Sequence, residues 1–148
     1  MSVTETKDFV FAPKGTIIAN GVVSVCILGT REYLFAIPLE NIEGAGATIS
    51  QTKYSIDGQD VLSGIKLLLE DPELDSKKLQ TIVLSLLSDW GIDQSKHAFE
   101  VAKLVEFNIK AGFFSKGIYL KSATDKFRQG VAVSGKDQIL KFKNFYGK

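Results

Sequence analysis

The dipeptide Asn20-Gly21, set between apolar runs at residues 16–19 and 22–28, constrains this chain more than any other pair. A two-residue type I′ turn needs positive φ at both central positions, so Asn-Gly between apolar runs predicts an antiparallel hairpin. Gly29-Thr30 and a third apolar run at residues 33–37 extend the hairpin to a meander. In residues 22–28, Val23, Val25 and Ile27 alternate with Val22, Ser24, Cys26 and Leu28, so both faces are largely apolar. That composition predicts a central strand covered on both sides.

The hydrophobic period then changes. Val61, Leu62, Ile65, Leu68 and Leu69 repeat with helical spacing, and Asp57 or Asp60 is placed to cap the free N–H groups of a helix over residues 58–70. Asp71-Pro72 reads as an N-cap followed by an N1 proline. Behind it Leu79, Ile82, Val83, Leu86, Leu87 and Trp90 form one stripe up to Gly91, a second helix over 72–90. Asp93 or Ser95 opens a third helical reading over 94–111, with Ala98, Val101, Ala102, Val105 and Ile109 on one face and Gly112 as the stop.

From Gly117 onward strand-like runs return at residues 118–121, 127–133 and 139–146, joined by the turn compositions Ser122-Ala-Thr-Asp and Ser134-Gly-Lys-Asp. The expected fold is therefore α+β. N-terminal and C-terminal antiparallel meanders join in one twisted sheet packed against a central block of three helices (about 58–70, 72–90 and 94–111), the whole of 1–148 forming a single domain.

Composition narrows the class. Hydrophobic residues at 45% and charged residues at 24% suit a chain that buries a core. The polar first eight residues lack the apolar stretch of a secretory signal, and the uncharged stretch 15–30 is shorter than the ~20 residues of a membrane helix. A lone Cys26 inside an apolar run reads as a buried reduced thiol. Together these predict a cytoplasmic protein with no membrane partner.

No catalytic constellation is legible, and the expectation is a non-enzymatic protein without cofactor or metal. Gly130-Val-Ala-Val-Ser-Gly135-Lys136 has the spacing of a phosphate-binding loop. Asp137 stands where a Mg²⁺-ligating hydroxyl is needed, and the residues that follow read as a strand rather than a helix. Gly44-Ala-Gly46 lacks the third glycine of a dinucleotide fingerprint. Asp93, His97 and Glu100 share a face if 94–111 is helical, but a capping Asp, a solvated His and a surface Glu explain them without a metal. The carboxylates of Glu40 with Glu43, and of residues 70–75, read as solvated or capping groups.

Charge supplies the functional signal. Residues 1–75 carry 5 Lys/Arg against 11 Asp/Glu, and residues 76–148 carry 13 against 6. Such a dipole points to a charged partner. If the C-terminal runs are strands in register, Tyr119, Lys121, Lys141 and Lys143 share one exposed face, with Lys126, Arg128 and Lys136 in or near its turns. The leading expectation is an adaptor, inhibitor or subunit that binds a protein partner, or a second copy of itself, through complementary charge. The alternative is binding of single-stranded nucleic acid or another polyanion by the basic, aromatic C-terminal sheet.

Overall fold

A computed structural model describes residues 8–18, 21–39, 61–113, 116–124 and 126–148. The chain runs β1 (Phe9–Ile18), β2 (Val22–Thr30), β3 (Tyr33–Pro38), α1 (Val61–Leu69), α2 (Ser76–Asp89), a short α3 (Gln94–His97), β4 (Ala98–Glu100), a 3-10 turn (Val101–Lys103), β5 (Leu104–Ala111), β6 (Lys116–Ser122), β7 (Gln129–Val133) and α4 (Lys136–Tyr146). All seven strands belong to one antiparallel sheet in the order β4-β3-β2-β1-β7-β6-β5. The α+β class and the joining of both meanders in one sheet follow the sequence.

Strand β1 is the joint between the two meanders. Its register against β2 shifts between Ala12 and Gly15, where Pro13 cannot donate to a ladder, and beyond the bulge Gly15 and Thr16 pair with Val133 and Ala132 of β7. A Cβ on Gly15 would collide with the Ile27 side chain and the Ala132 carbonyl, so the approach of β1 to β7 requires glycine there.

The two faces of β1–β3 serve two cores. Cys26, Leu28, Phe35 and Ile37 pack on α1 and α2 through Ile65, Leu68, Leu79, Val83 and Leu86. Val10, Ala12, Val25, Ile27 and Leu34 face the inside of the curl, where they meet Ile118, Leu120 and Val131 of the C-terminal strands and Ile139 and Phe142 of α4. Strand β2 is thus covered on both sides, as its doubly apolar pattern requires.

Helix α4 fills the seam left open by the curl. Phe142 is fully buried. At the helix end the Tyr146 hydroxyl donates to the carbonyls of Thr30, at 3.0 Å, and Tyr33, at 2.8 Å. Its ring meets Phe107 of β5 edge-on at 5.0 Å, and the Arg31 guanidinium lies 4.2 Å from the Phe145 ring centre. Glycine at position 29 leaves the space that the Tyr146 hydroxyl occupies. From the other side of the sheet, Gln80 of α2 reaches the same β2–β3 turn. Its Oε1 accepts from the Thr30 hydroxyl at 2.7 Å, and its Nε2 donates to Glu32 at 3.2 Å.

Several expectations are corrected here. The third helix ends at His97, and residues 98–111 form β4, a 3-10 turn and β5 instead. The reason is visible in residues 106–110, where Glu106, Asn108 and Lys110 alternate with the buried Phe107 and Ile109 at the period of a strand. Residues 139–146 are helical, closed by Gly147 in a left-handed conformation at φ 69°. Helix α2 is capped by Asp75, whose side chain accepts from the Lys78 N–H, while Asp71 holds the preceding turn through the Glu73 N–H. The expected caps Asp57 and Asp60, the Asn20 half of the hairpin turn, Glu40, Glu43 and Gly44-Ala-Gly46 lie outside the described residues.

Burial also sets the proton chemistry. The Cys26 thiol is pushed from 9.0 up to about 12 by burial, and burial raises the Tyr146 hydroxyl too, partly offset by Arg31. The folded state holds both protons more tightly than the unfolded chain. The stabilisation is therefore complete below the unfolded thiol's pKa and is lost as pH climbs from about 9 toward 12. Cys26 should resist a thiol reagent in the native protein and react at once in urea, and the urea midpoint should fall as pH is raised through this window. Tyr146→Phe strips a donor from two carbonyls and should lower the unfolding free energy by ~1–3 kcal/mol in urea titrations.

Candidate binding surface

Strand alternation decides what the C-terminal sheet shows to solvent. Ile118 and Leu120 of β6 and Val131 and Val133 of β7 turn into the core, so Tyr119, Lys121, Gly130 and Ala132 turn outward. Register puts Asn108 and Gly130 on either side of Tyr119, and Glu106 directly across from Lys121. Arg128 closes this group, its Nε 2.7 Å from a Glu106 carboxylate oxygen and its guanidinium 5.7 Å from the Tyr119 ring centre. Lys110 approaches the same ring at 5.5 Å.

The helical conformation of residues 136–146 separates the remaining expected residues from this face. Helix α4 packs on the inner side of the sheet, so Lys141 and Lys143 lie on the opposite side from Tyr119 and Lys121. The Lys141 ammonium donates to Gln138 at 3.2 Å, and that of Lys143 donates to the Ile109 carbonyl at 3.3 Å. Lys136 lines a separate hollow at the start of α4 with Lys14, Ser134 and Asp137. The single basic, aromatic sheet face expected from the sequence is not assembled. Tyr119, Lys121, Lys126 and Arg128 stay together, while Lys136, Lys141 and Lys143 do not join them.

Two contiguous hollows lie where β1, β6 and β7 meet. One, of about 250 Å³, is floored by Gly117, Gly130 and Ala132 and walled by Ile18 and Val22 on one side and Tyr119 on the other. The second, of about 430 Å³, runs from Ile18 and Gly130 to Lys96, Lys126, Phe127 and Arg128. Ile18, Val22 and Phe127 are 76%, 76% and 80% exposed, an unusual grouping of large apolar side chains. Among the described residues no carboxylate lines either hollow. Lys96, Lys116 and Lys126 form no ion pair with a described residue.

Ile18, Val22, Phe127, Lys96 and Lys116 escaped the sequence reading. Ile18 and Val22 are the residues that face each other across the hairpin end, a cue for a shared apolar spot. The sequence pattern places Phe127 in a strand, but β7 begins at Gln129 and Phe127 sits in the preceding turn. A large apolar residue between Lys126 and Arg128 in a turn is itself a surface signal.

The other chemical readings resolve into local roles. The Asp93 carboxylate accepts from the Ser95 N–H and hydroxyl, which hold it below the usual carboxylate range. His97 is buried rather than solvated, its Nδ1–H donating to the Ala36 carbonyl at 2.8 Å. Glu100 has left the helix for β4, where it accepts from the Tyr33 hydroxyl at 3.1 Å. Among the described residues no cluster of three or more His, Cys, Asp or Glu side chains is placed to hold a metal. In the GxxxxGK segment a helix does follow Lys136, against expectation. Yet Gly130 to Val133 belong to β7 and form no loop around an anion.

No protein-family model, no curated protein and no solved structure matches the chain. No helix among the described residues is long and apolar enough to cross a membrane.

The cations of this surface contribute little to folding, because exposed ion pairs are worth about 1 kcal/mol at most. A Lys116→Ala, Lys126→Ala, Arg128→Ala triple variant should keep its urea unfolding free energy within ~1 kcal/mol of the parent.

Proposed function

We propose that this protein is a non-enzymatic interaction module, an adaptor, inhibitor or subunit, that binds a protein partner through the surface where β1, β6 and β7 meet. The observation that carries the reading is the exposed apolar group Ile18, Val22 and Phe127 beside Lys96, Lys116 and Lys126, none of which forms a close ion pair with a described residue. An apolar centre with a charged rim is the anatomy of a protein interface, in which desolvated anchors supply affinity and the rim supplies orientation and on-rate.

Single-stranded nucleic acid fits this surface less well. Stacking needs a free ring face, and the Tyr119 ring already carries Lys110 and Arg128. Backbone tracking needs a row of cations, and α4 carries Lys141 and Lys143 to the other side of the sheet.

Affinity capture from nuclease-treated native lysate tests the reading. The wild-type chain should retain one stoichiometric partner that an Ile18→Ser, Val22→Ser, Phe127→Ser variant loses. A Leu67→Ser control, which removes an exposed apolar residue on α1, should keep it. A partner held equally by the surface variant, or recovery of nucleic acid in place of protein when nuclease is omitted, would overturn it.

A further inference from the structure

We infer that the partner presents a short, extended, acidic segment, and that one large apolar side chain of that segment seats in the trough between Ile18, Val22 and Tyr119. This rests on the interaction-module reading above and specifies what that surface recognises.

The trough owes its depth to missing side chains. Gly130 stands directly opposite Tyr119 in the ladder, and Ala132 opposite Thr16. The floor is therefore backbone, the Ala132 methyl group and the small Thr16 side chain, while Ile18, Val22 and the Tyr119 ring rise on either side. Its volume, about 250 Å³, is the right scale for a single side chain. The lining is mostly apolar, so the group that enters is apolar.

The walls also set the shape of what lies across them. Ile18 and Tyr119 belong to strands on either side of β7, two strand spacings of ~4.8 Å apart. An α-helix with its side chains is ~10–12 Å wide and does not enter such a slot, whereas an extended chain spans it.

Charge selects the rest of the segment. The neighbouring hollow shares Ile18 and Gly130 with the trough, so a chain anchored in one passes directly into the other. There it meets Lys96 and Lys126, with Lys116 at the trough itself, and no carboxylate of a described residue lines its path. Arg128 is held by Glu106, so the three lysines are the cations that a partner's carboxylates would meet. Carboxylates flanking the apolar anchor match that arrangement, and like-charge repulsion disfavours a basic segment.

Panning a displayed library of random peptides against the full chain tests this directly. Enriched sequences should join a Trp, Phe or Leu to several Asp or Glu. Binding of an enriched synthetic peptide, read by fluorescence anisotropy, should weaken at least tenfold in a Lys116→Glu, Lys126→Glu variant and fall with rising salt. Ala132→Phe, which fills the trough from an exposed strand position, should abolish binding while leaving the thermal midpoint unchanged. Neutral or basic enriched peptides, or peptide binding indifferent to Ala132→Phe, would overturn the inference. So would retention of phosphatidylserine vesicles or of an oligothymidine probe by the same residues in place of peptide. If the captured protein partner still requires Ile18 and Phe127 while enriched peptides carry no acid, the module reading stands and the acidic segment falls.

Discussion

The turn between β2 and β3 is held from both faces of the sheet, and the rest of the molecule is organised around that grip. Gln80 reaches it from α2 and Tyr146 from α4, so the two cores converge at Thr30–Tyr33. The physical demand comes from backbone carbonyls in a part-buried seam: left without a donor, they would cost what a lost hydrogen bond costs. Tyr146 meets that demand from 116 residues away along the chain. The grip therefore ties the last helix to the first hairpin, and it is a property of the assembled fold alone.

Filling the seam with a helix has a consequence at the surface. An antiparallel sheet that curls without closing has two edges, here β4 and β5, and they are consecutive in the chain through Val101–Lys103. Helix α4 lies along the inner side near β5, and Lys143 donates to the Ile109 carbonyl. A lysine near an edge strand is a familiar protection against unwanted pairing. Lys141 and Lys143 of α4 thus have local structural roles, whereas Lys96, Lys116 and Lys126, which form no close ion pair with a described residue, lie at the meeting of β1, β6 and β7.

That surface is built from complementary kinds of residue. Small ones, Gly117, Gly130 and Ala132, lower the floor, and Ile18, Val22 and Tyr119 raise the walls. Lysine ammoniums stand nearby, in hollows that no carboxylate of a described residue lines. None of these residues is unusual alone. Their effect arises because β7 is bordered by β1, from the far end of the chain, on one side and by β6 on the other.

The amino-acid pattern alone determined the first meander, the doubly covered strand β2, helices α1 and α2, and the α+β class, because in each the apolar period is long enough to exclude the other conformation. It also held the clue to β5 in the strict alternation of residues 106–110, which a wider helical stripe over 98–109 obscured. Residues 139–146 are ambiguous in isolation. Ile139, Phe142 and Tyr146 fit one helical stripe, while Leu140 and Phe142 fit a strand face, and eight residues are too few to choose. The tertiary structure decided in favour of the helix, because only that conformation puts Phe142 in the core and Tyr146 against the Thr30–Tyr33 turn. The same choice divided the basic residues. Tyr119, Lys121, Lys126 and Arg128 share a region because β6 and the turn leading into β7 carry them, whereas Lys136, Lys141 and Lys143 followed a helix whose apolar stripe had to be buried.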